Sequence, residues 1–103
     1  MTASTQLEAY PDCISLFDAA LASAKGVEYS LDTYERAFEM MQRMQKARVL
    51  DRAKWREIRD PSDPLFGTSP YDGLVIRMPR EVDGKWWLRI EPRALNGQIR
   101  EVE

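Results

Sequence analysis

The twenty residues 73–92, GLVIRMPREVDGKWWLRIEP, constrain the fold of this chain more than any other segment. Two runs rich in β-branched and aromatic residues flank the dipeptide Asp83-Gly84. An Asp-Gly pair between such runs is a strong signal for a β-hairpin. The segment therefore predicts two antiparallel strands, and the rest of the chain is expected to pack on them.

The apolar residues of both runs are even-numbered, and this parity predicts how the strands pair. They are Leu74, Ile76 and Met78 in the first run and Trp86, Leu88 and Ile90 in the second. Because side chains alternate between the two faces of a strand, a three-residue loop at residues 82–84 keeps one apolar face and a two-residue loop breaks it. We therefore predict Ile76 opposite Ile90 and Met78 opposite Leu88.

The other face of the predicted hairpin is a candidate protein-binding surface. It places Arg77 opposite Arg89, which is unfavourable unless an anion lies nearby, and Glu91 stands one step away on the diagonal. Trp87 lies on the same face, and tryptophan and arginine dominate contacts between proteins. The predicted partner-binding residues are Arg77, Trp87, Arg89 and Arg93.

Two helices are predicted before the hairpin. Pro11 suits a first helical turn, and Gly26 predicts where that helix ends. Residues 26–30 are interpreted as a short connection. Asp32, followed by Glu35 three residues later, predicts the capped start of a second helix.

An apolar stripe in the second helix runs into a row of arginines. The stripe consists of Tyr34, Ala37, Phe38, Met41 and Met44, and the arginines that continue its direction are Arg48, Arg52, Arg56 and Arg59. A buried face is not expected to become a row of four cations. We therefore predict a break between Arg48 and Asp51, with Asp51 capping a short third helix.

The predicted third helix is the alternative candidate site. Residues 43–59 hold seven bases and two acids, a net charge of +5, whereas the whole chain carries −2. A tryptophan among arginines can serve as a platform for bases and phosphates, or it can be buried with the arginine stems along its rim. The alternative function is nucleic-acid binding through Arg48, Arg52, Trp55, Arg56 and Arg59.

Composition argues against most enzymes. The chain has no histidine, which is the commonest general base and metal ligand. Its single cysteine, Cys13, cannot form an internal disulfide, and no basic residue beside it in sequence would activate the thiol. No Walker loop, dinucleotide fingerprint or nucleophile elbow occurs. We predict no enzymatic activity, no cofactor and no bound metal.

The sequence thus predicts one α+β domain, in which two or three N-terminal helices pack on a C-terminal antiparallel hairpin or three-stranded meander. Its parts are a frayed start at residues 1–9, helices in 11–59, a proline-rich loop at 60–72 and a β part at 73–103, with a third strand at 98–102. No apolar run approaches the roughly 20 residues that span a bilayer, so we expect a cytoplasmic protein. The expected function is that of a small adaptor, inhibitor or assembly factor, such as a bacterial or phage accessory protein. Self-association is an open alternative.

Overall fold

The computed structural model of the protein describes residues 2–93. Its helices are α1 (Ala3–Leu7), α2 (Pro11–Leu21) and α3 (Tyr34–Ile58), and its strands are β1 (Val27–Leu31), β2 (Leu74–Ile76), β3 (Arg80–Val82) and β4 (Lys85–Pro92). A 3₁₀ turn, Pro70–Gly73, leads into β2. The fold is α+β, with N-terminal helices packed on an antiparallel sheet, as predicted.

Strand β4 is the centre of the sheet. It pairs with β1 along one side and with β2 and β3, one after the other, along the other side. Leu88 and Ile90 are 0% exposed, whereas Lys85 and Arg89 on the same strand are exposed. The alternation of β4 therefore gives the sheet one face against the helices and one face turned away from them.

The core lies between that inner face and the two longer helices. Phe17 of α2 stacks on Tyr71, with ring centroids 4.6 Å apart, and the Tyr71 hydroxyl donates to Asp18 at 2.7 Å. The buried apolar cluster comprises Leu7, Cys13, Phe17, Ala20, Met40, Met44, Ala47, Leu50, Tyr71, Leu74, Leu88 and Ile90.

The hairpin turn differs from the prediction. Asp83 and Gly84 form a two-residue turn, with φ of 54° and 82°, and Val82 lies opposite Lys85. Both positive φ values match the primed turns that close tight hairpins. The predicted three-residue loop is therefore wrong, and Met78 does not pack in the core, since it is 60% exposed.

A bulge between β2 and β3 explains why the parity argument failed. In β2 the prediction is confirmed, because Ile76 does lie opposite Ile90. The register of β3 is shifted by one residue, with Arg80 opposite Trp87. Residues 77–79 absorb the shift, and Pro79 has no N–H to give to a ladder. The predicted register requires one unbroken strand between Leu74 and Val82, which the bulge interrupts.

Helix α3 is continuous over 25 residues, so the predicted break between Arg48 and Asp51 is wrong. Its N-cap is Thr33 rather than Asp32, and the Thr33 hydroxyl accepts from the Arg36 N–H at 3.2 Å. The buried face begins at Ala37 and continues, without a change of direction, into Arg48 and Asp51. Asp51 is thus a buried residue inside the helix and not a cap.

The first strand and the first helix were not predicted. Residues 26–30, interpreted as a connection, lie mostly in β1, whose sequence VEYSL has the alternation of a strand. Gly26 has a φ of +90°, and a Cβ there would overlap the Ile90 carbonyl oxygen. This close approach requires glycine.

The segment predicted as a frayed start contains α1. The Thr2 hydroxyl caps α1 by accepting from the Thr5 N–H at 3.2 Å, and Ala3 and Leu7 are buried. The third strand predicted at residues 98–102 lies outside the described residues. None of the helices in residues 2–93 is long and apolar enough to cross a bilayer.

Candidate interaction face

The outer face of the sheet carries the side chains of β4 that point away from the helices. Trp87 is half-buried there, between Ser30 of β1 on one side and Arg80 of β3 on the other. Arg89 is exposed and lies opposite Glu28 of β1. In the described part of the chain, the helices pack on the opposite face, and no helix residue lines the groove on this surface.

An open groove of about 710 Å³ lies on the outer face. Its walls are Glu28, Arg77, Met78, Arg80, Val82, Trp87, Arg89 and Glu91. The apolar residues Met78 and Val82 are 60% and 42% exposed. Three guanidinium groups and two carboxylates line the groove, so its net charge is +1. The groove can therefore take an apolar side chain beside an acidic one.

The bulge gives this groove its apolar wall. Ile76 on β2 points toward the helices, and the bulge interrupts the alternation after it, so that Met78 is exposed rather than buried. The shifted register then places Arg80 and Val82 on the face of Trp87. A regular strand would have put Met78 over the core.

The two facing arginines are neutralised by glutamates on the same face. Arg77 and Arg89 are joined by a main-chain hydrogen bond of 2.8 Å from the Arg77 N–H to the Arg89 carbonyl. Glu91 lies between their side chains, 2.5 Å from the Arg77 Nε and 3.5 Å from the Arg89 Nε. Glu28 lies 3.6 Å from Arg89. The diagonal Glu91 is thus the nearby anion that the facing arginines require.

This ion-pair network acts on the ionisation of Glu91. The hydrogen bond from Arg77 holds the pKa of the Glu91 carboxyl below its ordinary value, and Arg89 adds to the effect. Glu91 is therefore ionised at neutral pH and can pair with both arginines at once.

The structure brings together three of the four residues predicted to bind a partner protein. Arg77, Trp87 and Arg89 line the groove, but Arg93 does not. Its guanidinium donates to the Asp72 carbonyl at 3.2 Å, at the far end of β4. Arg93 thus links the 3₁₀ turn before β2 to the residue that follows β4 by a hydrogen bond.

The arginine row of α3 binds the proline-rich loop. Arg48, only 9% exposed, donates to the carbonyl oxygens of Tyr71 at 3.1 Å and Leu74 at 2.6 Å. Further along the helix, Arg52 pairs with Asp72 at 2.6 Å. These contacts explain why the buried face of α3 continues into arginines, because acceptors of the loop and of β2 lie against their guanidinium groups.

The last turn of α3 follows the same pattern. Arg59 donates to the Leu65 carbonyl at 2.6 Å and to Thr68, and its guanidinium lies 4.5 Å from the centre of the Trp55 ring. The Trp55 Nε1–H donates to Asp51 at 3.1 Å. Arg56 is the exposed arginine of the predicted nucleic-acid site. Four of the five predicted residues thus have contacts within the fold.

Cys13 is buried, and the carboxylates of residues 2–93 form no metal-binding cluster. Cys13 is 0% exposed, and burial raises the pKa of its thiol to about 11, so it is protonated and inert at neutral pH. No group of three or more potential metal ligands is found within residues 2–93.

Sequence reasoning missed four residues of the groove. Glu28 belongs to the unpredicted strand β1, and its signal was the alternation of VEYSL. The predicted three-residue loop places Met78, Arg80 and Val82 on the wrong face. Asp-Gly prefers two-residue turns, and this preference was the signal for the correct register.

No protein-family model matches the chain, and no curated protein or solved structure is significantly similar to it.

Proposed function

We propose that the protein is a small, non-enzymatic interaction module that works by occupying the surface of a partner protein with the outer face of its sheet. The observation that carries the proposal is Trp87, which stands half-buried at the centre of a groove that no described helix covers. An adaptor, inhibitor or assembly factor, as in bacterial or phage accessory proteins, would act in this way.

The chemistry of the groove supports an interface. Tryptophan and arginine are enriched among residues that contribute most to binding between proteins. Here Trp87 is flanked by Arg77, Arg80 and Arg89, and the exposed Met78 adds a flexible apolar contact. Arg77 and Arg89 are already positioned by Glu91, so less side-chain entropy is lost when a partner binds.

The cytoplasm is the proposed location. The unpaired, protonated thiol of Cys13 is compatible with a reducing compartment, where disulfides are rare. Nucleic-acid binding through residues 48–59 is the second candidate. The contacts of Arg48, Arg52 and Arg59 with the loop leave Arg56 as the exposed cation for that function.

Two variants with reciprocal controls test the proposal. Partners purified with the tagged protein from its native cell should be identified, and their binding to purified protein measured by calorimetry. Trp87→Ala, or the double change Arg77→Glu and Arg89→Glu, should weaken binding at least tenfold, whereas Arg56→Glu should not. Partner binding that survives both groove variants would contradict the proposal, as would a Trp87→Ala protein that fails to fold.

The same variants, with their roles exchanged, test the second candidate. Single-stranded and duplex oligonucleotides should be titrated at about 50 and 200 mM salt, because neutralising phosphates makes affinity fall steeply with salt. A salt-dependent affinity that Arg56→Glu reduces and Trp87→Ala leaves intact would favour nucleic-acid binding over protein binding.

A further inference from the structure

We propose that strand β1 pairs with β1 of a second copy of this chain, antiparallel about a two-fold axis at Tyr29, so that two sheets join into one. The proposal concerns the edge of the sheet and does not depend on the proposed function. It rests on the hydrogen-bonding direction of β1, on the contrast between the two edges and on the residue pattern of the strand.

The direction of the β1 hydrogen bonds follows from those of β4. The main-chain bonds from Arg77 to Arg89 and from Arg93 to Gly73, both 2.8 Å, show that odd residues of β4 direct their N–H and C=O groups toward β2. Even residues of β4 therefore bond to β1, because successive residues point to opposite sides. Their partners in β1 are Val27, Tyr29 and Leu31.

Glu28 and Ser30 consequently direct their N–H and C=O groups away from the sheet. Within residues 2–93, no main-chain or side-chain group bonds to these four groups. An edge of this kind is a template for another strand.

The two edges of the sheet differ in how they are protected. The edge formed by β2 and β3 is interrupted by the bulge and carries Pro79, and both features disfavour further pairing. Strand β1 is regular over five residues and contains no proline, lysine or bulge. Natural proteins seldom leave such an edge unpaired.

The sequence of β1 favours the same strand of a second copy of the chain as its pairing partner. VEYSL reads apolar, polar, aromatic, polar, apolar in both directions. With the axis at Tyr29, each Val27 faces a Leu31, each Glu28 faces a Ser30, and the two Tyr29 rings face each other. All five residues then pair, and the outward groups of Glu28 and Ser30 form four hydrogen bonds.

Other antiparallel registers are less favourable. An axis at Glu28 pairs only three residues and sets two glutamates opposite each other, which is destabilising. An axis at Ser30 also pairs only three residues. Tyr29 is 42% exposed although it points to the helix side of the sheet, and it borders an open cleft of about 260 Å³ against α3. The cleft leaves room for the facing ring.

A proline substitution tests the pairing. Ser30→Pro removes an outward N–H that β4 does not use, so the monomer should keep its fold, while the ring blocks an added strand. The matched control Ser30→Ala keeps the N–H. Sedimentation velocity should show a dimer that grows with concentration for the wild type and Ser30→Ala, and a monomer for Ser30→Pro. A wild-type protein that remains monomeric up to about 1 mM overturns the proposal.

Cysteine cross-linking tests the register without depending on the proline variant. In Tyr29→Cys the two facing residues form a non-hydrogen-bonded pair with Cα atoms about 4.5 Å apart, inside the range of about 4.4–6.8 Å that disulfides span. Oxidised glutathione should convert this variant to a disulfide-linked dimer and is itself reduced to two molecules of glutathione. Cys13 is buried and should not take part in the exchange. In the control Glu28→Cys the thiols sit on a diagonal of about 7–8 Å and should cross-link at least tenfold more slowly. Equal rates for both variants would refute the register.

Discussion

Replacing Arg48 by methionine is expected to destabilise the fold by about 2–4 kcal/mol. Its guanidinium donates to the carbonyl oxygens of Tyr71 and Leu74, two residues that are 8% and 2% exposed. Methionine has a similar length but no donor. Both carbonyls would lose their arginine donor in a site that admits little water.

The magnitude follows from the two bonds lost at buried carbonyl oxygens, since the third bond of Arg48, to the Gln45 Oε1 at 3.0 Å, is made to an exposed residue. A hydrogen bond from a charged donor contributes about 1.5–3 kcal/mol, so two contribute about 3–6 kcal/mol. Part of this is offset, because burial disfavours the charged guanidinium, as the lowered pKa of Arg48 shows, and methionine avoids that cost. In a domain of about 100 residues, each kcal/mol shifts the melting temperature by about 4–8 °C, so a fall on the order of 10–25 °C is expected.

Urea unfolding followed by tryptophan fluorescence measures the effect. The midpoint should fall with an unchanged slope, which identifies a loss of stability rather than a change in compactness. Arg56→Met is the matched control, because Arg56 is exposed on the same helix, and it should stay within about 0.5 kcal/mol of the wild type. If Arg48→Met were as stable as Arg56→Met, the row would not hold the loop, and its arginines would again be candidates for binding phosphate.

Two further predictions concern the sheet. Leu88→Ala should lower the free energy of unfolding by about 2–5 kcal/mol, because Leu88 is 0% exposed at the centre of β4, and a loss below about 1 kcal/mol in urea unfolding would contradict that placement. Arg77 lowers the pKa of Glu91, and a carboxyl with a depressed folded-state pKa contributes stability that is present above its unfolded pKa and lost as pH falls through the folded value. Stability should therefore decrease below about pH 4.5, and Glu91→Gln should make that decrease shallower in unfolding curves recorded across pH 2–7, whereas an unchanged pH dependence would show that the ion pair does not form.

The local signals in the sequence predicted the elements whose residues are set by their immediate neighbours. Pro11 begins α2, as expected from its fixed φ, and the Asp-Gly dipeptide closes the hairpin. Leu88 and Ile90 are buried, as their alternation indicated, and Trp87 and Arg89 occupy the opposite face. The outer face was therefore located from the alternation of a single strand.

The sequence-based predictions were wrong or incomplete for α3, β3 and β1, whose structure also depends on contacts with other parts of the chain. The continuation of α3 through Arg48 depends on acceptors from residues 71 and 74, which no helical periodicity can reveal. The two-residue turn sets the register of β3, and a bulge that local alternation does not encode reconciles it with the register of β2. Strand β1 is short, and β4 fixes it by pairing along its length. In α3 a tertiary contact outweighed a local preference, whereas for β1 and β3 the local signals were present in VEYSL and Asp83-Gly84.

The bulge at residues 77–79 connects the two proposals. By shifting the register it exposes Met78 and places Arg80 beside Trp87, which completes the groove on the outer face. The same irregularity, with Pro79, disfavours strand addition at the β2–β3 edge, so β1 is the edge that can still pair. Joining two copies at β1 would leave both grooves uncovered and facing the same side of one continuous sheet. Such a dimer would present two Trp87 anchors to a repetitive or dimeric partner, and its avidity could then exceed the affinity of either groove.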